Sequence, residues 1–185
     1  PGQADFLRAL KAFRDAVAAE PRNRTAWRHV FMALAENGDW VSLASEAQRA
    51  ALLIPEFAPA KLALGLAHVR QDDFDGGAAA FREARRMMGT GPWTQFTSLT
   101  RLLQPKAYTV RLRHVDSATY ASLPPERQQD VSDRYWALAD PRPRTVLNEA
   151  EVEFHARLAY AALRYLVRGS EFGGVDTQRG RIHVR

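Results

Sequence analysis

The side chains that could take part in catalysis or hold a metal ion are few and widely spaced. Glu151 and His155 stand four residues apart and would share one face of a helix, but they offer at most half of a zinc site. The sequence has no HxxxH or HExxH pair and no cysteine. A core or surface histidine is therefore the favoured interpretation at every histidine position, and no metal site is predicted. The histidines are His29, His68, His114, His155 and His183.

A glycine-containing turn near the carboxyl end is the second place where chemistry could occur. Residues 173–180 read Gly-Gly-Val-Asp-Thr-Gln-Arg-Gly. Backbone N–H groups in this turn, together with Thr177, Arg179 and Arg181, could bind an anion. A turn that leads into a strand over 181–185 explains the same glycines and is the favoured interpretation. Since there is no GxSxG elbow and no phosphate-binding glycine loop, the sequence predicts no catalytic residue and no cofactor.

Composition narrows the class of protein further. The chain has 185 residues, with 26 basic and 21 acidic side chains and a net charge of +5. All the basic residues except Lys11, Lys61 and Lys106 are arginines, a bias that a GC-rich bacterial genome produces. No basic run is interleaved with aromatic residues, so nucleic acid is not an expected partner. No apolar stretch reaches the ~18 residues that a membrane span needs, so no transmembrane segment is expected.

A period of 34 residues runs through the first half of the chain. Pro21 and Pro55 lie 34 residues apart, and the turns at 38–40 and 72–74 keep the same spacing. Small residues let paired helices approach closely, aromatic residues fill the gap to the next pair, and proline closes the second helix. The pattern therefore predicts tandem helical hairpins. Positions that keep this register are Phe6, Phe13, Ala16, Trp27, Ala47, Ala50, Gly65, Phe81 and Ala84.

Residues 5–88 resemble the tetratricopeptide repeats, which share this period and these small and aromatic positions. The resemblance implies a superhelix of helical hairpins whose usual role is contact with other proteins. Phe6 would begin the second helix of a repeat, so the chain holds two full repeats and a half. We therefore expect an upstream segment that is cut away or disordered, and we expect residues after Met88 to cap the last helix pair.

In this family the first helices of the repeats line a concave groove. Matched position by position, the groove of this chain would carry an apolar stripe edged by charge. Two occupants are equally compatible with such a stripe: an apolar peptide or helix of a partner protein, or the protein's own downstream helices. The groove residues are Arg28, Met32, Ala35, Glu36, Leu62, Leu66, Val69 and Arg70.

The region after the repeats has a mixed pattern. Residues 89–92 read Gly-Thr-Gly-Pro and interrupt the helical periodicity. A short apolar helix is expected over 93–104. Alternation over 107–115 allows a strand, although its polar face is basic and the run is short.

The last third of the chain predicts two longer helices. Pro124-Pro125 opens a helix that reaches Leu138. Asn148 and Glu151 form the cap of a second helix that ends near Val167. A turn and a strand over 181–185 follow. Between these two helices lies the segment Asp140-Pro141-Arg142-Pro143, here called the Asp-Pro segment. Four charged residues are expected to form an ion-pair network that holds this segment on the helix capped by Asn148: Asp140, Glu149, Glu153 and Arg157.

A series of residues in this region follows the order and spacing of a known domain: Tyr135-Trp136, Asp140-Pro141, Pro143, Thr145, Asn148-Glu149, Glu153-Phe154, Arg157, Tyr160-Ala161, Gly174, Thr177 and Arg179-Gly180-Arg181-Ile182. Residues 118–185 thereby resemble the bacterial GWxTD domain. Val175 and Gln178 stand where that domain has its namesake tryptophan and aspartate. The family, largely of unknown function, often occurs in exported bacterial proteins. The resemblance implies an extracytoplasmic location in a bacterium, with the cytoplasm as the alternative.

These patterns predict a mainly α fold in three segments. Residues 1–88 form a tetratricopeptide-type array of helical hairpins, 89–117 connect, and 118–185 form a GWxTD-like helical segment that caps the array and ends in a turn and a strand. The expected function is a non-catalytic scaffold or accessory subunit that docks onto another protein in a larger assembly, including a membrane-associated one.

The alternative function is an anion-binding or enzymatic module centred on Thr177, Arg179 and Arg181. A scaffold predicts these arginines in structural ion pairs. An enzyme predicts that they converge, unpaired, in a pocket with a carboxylate or a histidine.

Overall fold

The computed structural model describes residues 3–103, 117–167 and 169–184, and over these ranges the regular secondary structure is helical. An isolated β-bridge joins Val167 to Ser170. This confirms the mainly α prediction. Within the described ranges, no helix has both the length and the apolar composition to cross a membrane. The helices are α1 (Gln3–Ala19), α2 (Arg24–Asn37), α3 (Trp40–Leu53), α4 (Ala58–Val69), α5 (Phe74–Met88), α6 (Thr90–Phe96), α7 (Ser117–Ser122), α8 (Pro125–Ala139), α9 (Glu149–Arg164) and α10 (Gln178–Val184).

The two hairpins α2–α3 and α4–α5 turn at equivalent positions of the 34-residue period. The Asp39 side chain accepts a hydrogen bond from the Ser42 N–H at 3.1 Å and so caps α3. The Asp73 side chain accepts from the Gly76 N–H at 2.8 Å and caps α5 in the same way. Gly38 ends α2 in the left-handed region with φ 72°, and Asp72 holds the equivalent place with φ 61°. The turns of the two hairpins therefore follow the 34-residue period of the sequence.

Successive helices pack side by side from α1 to α5. Helices α4 and α5 approach each other closely. A Cβ added to Gly65 would lie 2.5 Å from Phe81 Cε1, so the Phe81 ring rests directly on the backbone of α4. Ala50 and Ala84, at equivalent positions of α3 and α5, are fully buried. These contacts build the predicted array of helical hairpins.

Helix α9 lies across this array and contacts α2, α4 and α5. Its apolar residues, including Phe154, Leu158 and Leu163, are buried in a core that also contains residues of α1 through α5 and of α10. A smaller apolar cluster forms where Leu99 and Leu103 meet Tyr120 of α7. The main core therefore contains residues that come before and after the expected connecting segment at 89–117.

Two expected elements differ in extent from the structure. In place of one helix over 93–104, α6 ends at Phe96 and a 3₁₀ turn follows over Leu99–Arg101. Helix α9 ends at Arg164, before the expected limit at Val167. The possible strand over 107–115 lies outside the described residues. The expected start of α8 at Pro125 is confirmed, as is the Asn148 cap of α9, which accepts from the Glu151 N–H at 3.1 Å.

The strand expected over 181–185 is wrong, because residues 178–184 form α10. The Thr177 hydroxyl accepts from the Gly180 N–H at 3.0 Å and begins this helix. Gly180 and Val184, four residues apart, are buried, whereas Ile182 is exposed. The burial therefore follows a helical period of four residues, which a short sequence pattern does not distinguish from alternation.

Candidate functional site

The concave groove predicted on α2 and α4 is filled by α9. Leu62, Leu66 and Val69 of α4 are buried, and α9 packs along both first helices. On α2, Ala35 is buried and Met32 is half-buried. Of the two occupants that the sequence left open, the structure places the protein's own downstream helix in the groove.

Charged residues at the groove edge hold this arrangement in place. Arg70 Nη1 lies 2.8 Å from Glu153 Oε2 on α9, and Arg157 Nε donates to Glu153 Oε1 at 3.1 Å. Arg164 Nη2 donates to Glu36 Oε1 at 2.7 Å. The charged residues predicted for partner binding are thus engaged within the molecule.

Arg28 is the third charged residue of the predicted groove, beside Glu36 and Arg70. Its Nη2 donates to the carbonyl oxygens of Ser170 and Glu171 at 3.1 and 3.0 Å. Burial lowers the pKa of Arg28, and the nearby Glu171 opposes that shift. Arg28 therefore ties the segment after α9 to the first full hairpin.

The predicted network of acidic residues and Arg157 forms differently from the expectation. Arg142 Nη1 lies 3.6 Å from Glu149 Oε1 and links the Asp-Pro segment to α9. Asp140 instead accepts from the backbone N–H of Arg142 at 2.8 Å. Glu153 and Arg157 act at the groove edge. Among the described residues, the Arg142–Glu149 ion pair and a local turn hold the segment.

The candidate anion site at residues 173–181 has no converging side chains. The Thr177 hydroxyl donates to the Gly174 carbonyl oxygen at 2.7 Å while it caps α10. Arg179 and Arg181 are exposed on α10. Over the described ranges neither arginine forms an ion pair and neither meets a histidine in a pocket. The geometry thus matches neither the ion pairs expected of a scaffold nor the pocket expected of an enzyme.

A different concave site lies along α5, where the turns of residues 140–148 and the start of α9 face it. Its outer part, here called the acidic cleft, has a volume of about 450 Å³. The cleft carries one fully exposed apolar side chain, Val146, whose relative exposure is 109%. Its charged residues are Asp72, Asp73, Asp75, Arg82, Arg142 and Glu149.

The inner part of the same site, here called the inner cavity, has a volume of about 380 Å³. It lies between α5 and α6 on one side and α8 and α9 on the other. A smaller space of about 260 Å³ shares Arg82 and Val146 with the cleft and Arg85 and His155 with the cavity. The cavity is defined by Arg85, Trp93, Asp133, Trp136, Glu151 and His155.

The surroundings of Glu151 and His155 shift the pKa of both side chains. Burial, reinforced by the positive charge of Arg85, lowers the pKa of His155 from 6.5 to about 4. Burial, reinforced by Asp133, raises the pKa of Glu151, and Arg85 opposes this shift. The rings of Trp93 and Phe81 lie against His155, with centroids 5.1 and 5.7 Å away. His155 is therefore neutral at pH 7.

Glu151 and His155 are also the two side chains that the sequence offered as possible metal ligands. Within residues 3–103, 117–167 and 169–184, no three acidic or histidine side chains are grouped so that they could hold a metal ion. His114 lies outside these ranges. Within these ranges the Glu151–His155 pair therefore supplies two ligands at most.

The chain matches no protein-family model, no curated protein and no solved structure. Its chemistry and its surfaces are accordingly the basis on which a function is proposed.

Only part of this site had a signal in the sequence. Glu151 and His155 could be placed on one helical face, because the Asn148 cap fixes the start of α9. Arg85 and Trp93 come from a distant part of the chain, and their approach to α9 depends on how that helix crosses the hairpins. No local spacing predicts such a contact.

Proposed function

We propose that the protein is a non-catalytic interaction scaffold or accessory subunit that docks onto another protein through the acidic cleft. The observation that carries this proposal is the pairing of carboxylates with the fully exposed Val146 in one open cleft. Because α9 occupies the groove, the proposed docking surface lies outside it.

The chemistry of the cleft defines the partner. Four carboxylates and two guanidinium groups line it, although the whole chain has a net charge of +5. Arg142 is paired with Glu149 and His68 Nδ1 lies 2.7 Å from Asp73 Oδ2, which leaves Asp72 and Asp75 facing solvent. An extended segment with a basic side chain beside an apolar one would complement this surface.

The two family resemblances support the type of function and the cellular location in this proposal. Tetratricopeptide repeats generally contact other proteins, and GWxTD domains often occur in exported bacterial proteins. We extend the proposal to a larger bacterial assembly outside the cytoplasm, including a membrane-associated one.

A photo-crosslinking residue in place of Val146 tests the docking surface in cells of the source organism. The expected result is a discrete adduct whose crosslinked peptide contains lysine or arginine. The double substitution Asp72→Asn and Asp75→Asn should reduce this adduct several-fold, since it removes two charges and leaves the Asp73 cap in place. Added salt should reduce the adduct in extracts as well.

The same crosslinker in place of Leu52 is the matched control, because Leu52 is an equally apolar exposed residue on α3, with a relative exposure of 84%. Equal adducts from both positions would contradict the proposal. So would a crosslinked segment without basic residues, or an adduct that persists unchanged after the aspartates are replaced.

A further inference from the structure

The inner cavity is lined by more carboxylates than cations. Its charged residues are Asp133, Glu151 and Arg85, and His155 is neutral at pH 7. Arg85 is solvent-exposed, and its effect on the pKa of Glu151 is smaller than the opposite effect of Asp133. These two charges together leave a negative potential at Glu151. A cationic group is therefore the electrostatic complement of this lining.

Neither carboxylate of the cavity is neutralised within the described part of the molecule. The Glu151 side chain has no hydrogen-bond or ion-pair partner there. Asp133 Oδ1 accepts a hydrogen bond from the neutral Gln129 Nε2 at 2.7 Å. Burial and the charge of Asp133 both disfavour the charged form of Glu151, which raises its pKa. A cation bound beside Glu151 would offset this penalty, because an opposite charge stabilises a carboxylate.

The other polar side chains of the cavity wall are already engaged. Ser132 Oγ lies 3.0 Å from the Tyr120 hydroxyl, and Gln128 Nε2 donates to the Leu123 carbonyl oxygen at 2.9 Å. Ser98 accepts a hydrogen bond within its own turn. The groups left for a ligand are mainly acceptors, namely the two carboxylates and one nitrogen of the neutral imidazole. A ligand that donates hydrogen bonds, such as a primary ammonium group, matches them.

Two indole rings add apolar surface to the cavity. Trp93 is buried and lies against His155, with ring centroids 5.1 Å apart. Trp136 packs on Phe154 with a centroid distance of 5.3 Å, and both tryptophans line the cavity. Indole rings attract cations and also pack against hydrocarbon or another aromatic ring. The lining therefore combines surfaces for a charged head group and for an apolar body.

From these observations we infer that the inner cavity binds a small primary amine, with its ammonium group on Glu151 and Asp133 and its apolar body against the two indole rings. The ammonium group carries three donors, which match the two carboxylates and the imidazole. The volume of about 380 Å³ lies in the range of small-molecule sites. This inference is independent of the docking proposal, because it uses the carboxylates of the inner cavity and not those of the acidic cleft.

Benzylamine is the probe, with benzyl alcohol and benzoate as comparisons of similar shape that are neutral and anionic respectively. We expect benzylamine, at pH 7 and up to tens of millimolar, to shift the indole N–H signals of Trp93 and Trp136 in an NMR titration. The signal of Trp27, which is fully buried in the first full hairpin, should stay in place. Benzyl alcohol and benzoate should bind at least about tenfold more weakly.

Substitutions test the assigned contacts. Glu151→Gln should weaken benzylamine binding by about tenfold or more, and Asp133→Asn should weaken it several-fold. Asp130→Asn is the matched control, because it removes a neighbouring carboxylate of α8 that does not line the cavity, and it should leave binding unchanged. Arg85→Gln should not weaken binding, because it removes a positive charge near the ammonium group.

Far-UV circular dichroism checks that each variant is folded. Asp133 is exposed, so Asp133→Asn keeps the test decisive if Glu151→Gln does not fold. The double substitution Asp72→Asn and Asp75→Asn in the acidic cleft should leave benzylamine binding intact, which separates failure of this inference from failure of the docking proposal. Absence of indole shifts, equal affinity for benzyl alcohol or benzoate, unchanged affinity in either folded carboxylate variant, or weaker binding in Arg85→Gln would overturn the inference.

Discussion

At the scale of single residues, His155 is a titratable side chain that aromatic rings shield from water. It is packed among the rings of Phe81, Trp93 and Phe154, yet part of its surface faces the inner cavity. Such a site stabilises the neutral imidazole, since charging it would require water that the aromatic rings exclude. The residue that the sequence marked as at most half of a metal site is therefore a neutral imidazole at pH 7.

The lowered pKa of His155 predicts a pH-dependent stability. The unfolded chain binds this proton near pH 6.5, whereas the folded protein binds it only near pH 4. Between these values the unfolded state holds the extra proton, so the free energy of unfolding falls as the pH is lowered from 6.5 to 4. The contribution is fully present above pH 6.5 and amounts to roughly 3 kcal/mol. Urea titrations across this range measure it.

His155→Gln is the variant that isolates this effect. It keeps a polar side chain in the cavity but cannot titrate, so its stability should change less with pH between 6.5 and 4. The raised pKa of Glu151 acts in the opposite direction in both proteins and cancels in the comparison. Parallel curves of unfolding free energy against pH for the two proteins would show that His155 does not carry the dependence.

Residue-level packing also shows what the sequence could predict. The small residue expected at Gly65 is explained by the Phe81 ring, which occupies the space where a Cβ would lie. Both positions follow from the 34-residue register, because the contact is made within one hairpin. The contact between Arg70 and Glu153 joins residues 83 positions apart, and no periodicity in the sequence relates them. The contacts that the sequence periodicity could predict are thus those within a hairpin.

At the scale of elements, α10 is where sequence and structure disagree most. Ile182 and Val184 suggested alternation, but the Thr177 cap and the Gly180–Val184 pair select a helix that packs on α9. Gly180 is needed there for close packing, since a Cβ would lie 2.1 Å from the Gly174 carbonyl oxygen. A short segment can satisfy either pattern, and the tertiary contact decides between them.

Removing the Thr177 cap should weaken α10. Thr177→Ala deletes the hydroxyl that accepts from the Gly180 N–H, and the expected cost is about 1 kcal/mol of stability. Thr177→Ser keeps the hydroxyl and should cost much less. Urea denaturation gives the stabilities, and backbone chemical shifts report the conformation of residues 178–184. Strand-like shifts in the unmodified protein, or equal losses in both variants, would contradict this account of α10.

At the scale of the whole molecule, the hairpins and the later helices depend on one another. The groove residues Leu62 and Leu66 are buried in a core that they share with Leu158 of α9. Without α9 this apolar stripe would face water, and without the hairpins α9 would lose its main packing surface. The core contains residues of the hairpins and of the later helices and so joins these parts into one unit.

A shared core predicts that the protein unfolds in one cooperative transition. The chain has four tryptophans, Trp27, Trp40, Trp93 and Trp136, which lie on α2, α3, α6 and α8. Labelling with fluorotryptophan gives each helix its own ¹⁹F signal, and all four folded-state signals should lose intensity at the same urea concentration.

Leu158→Ala makes this prediction sharper, because it changes α9 alone. Leu158 is fully buried, so the substitution should cost about 2–5 kcal/mol. If the core is shared, the midpoint of the Trp27 signal should fall by the same amount as that of Trp136, although Trp27 belongs to the first full hairpin. A Trp27 midpoint that stays in place while the others move would mean that the hairpins fold alone. The groove would then be accessible to another occupant whenever α9 detaches.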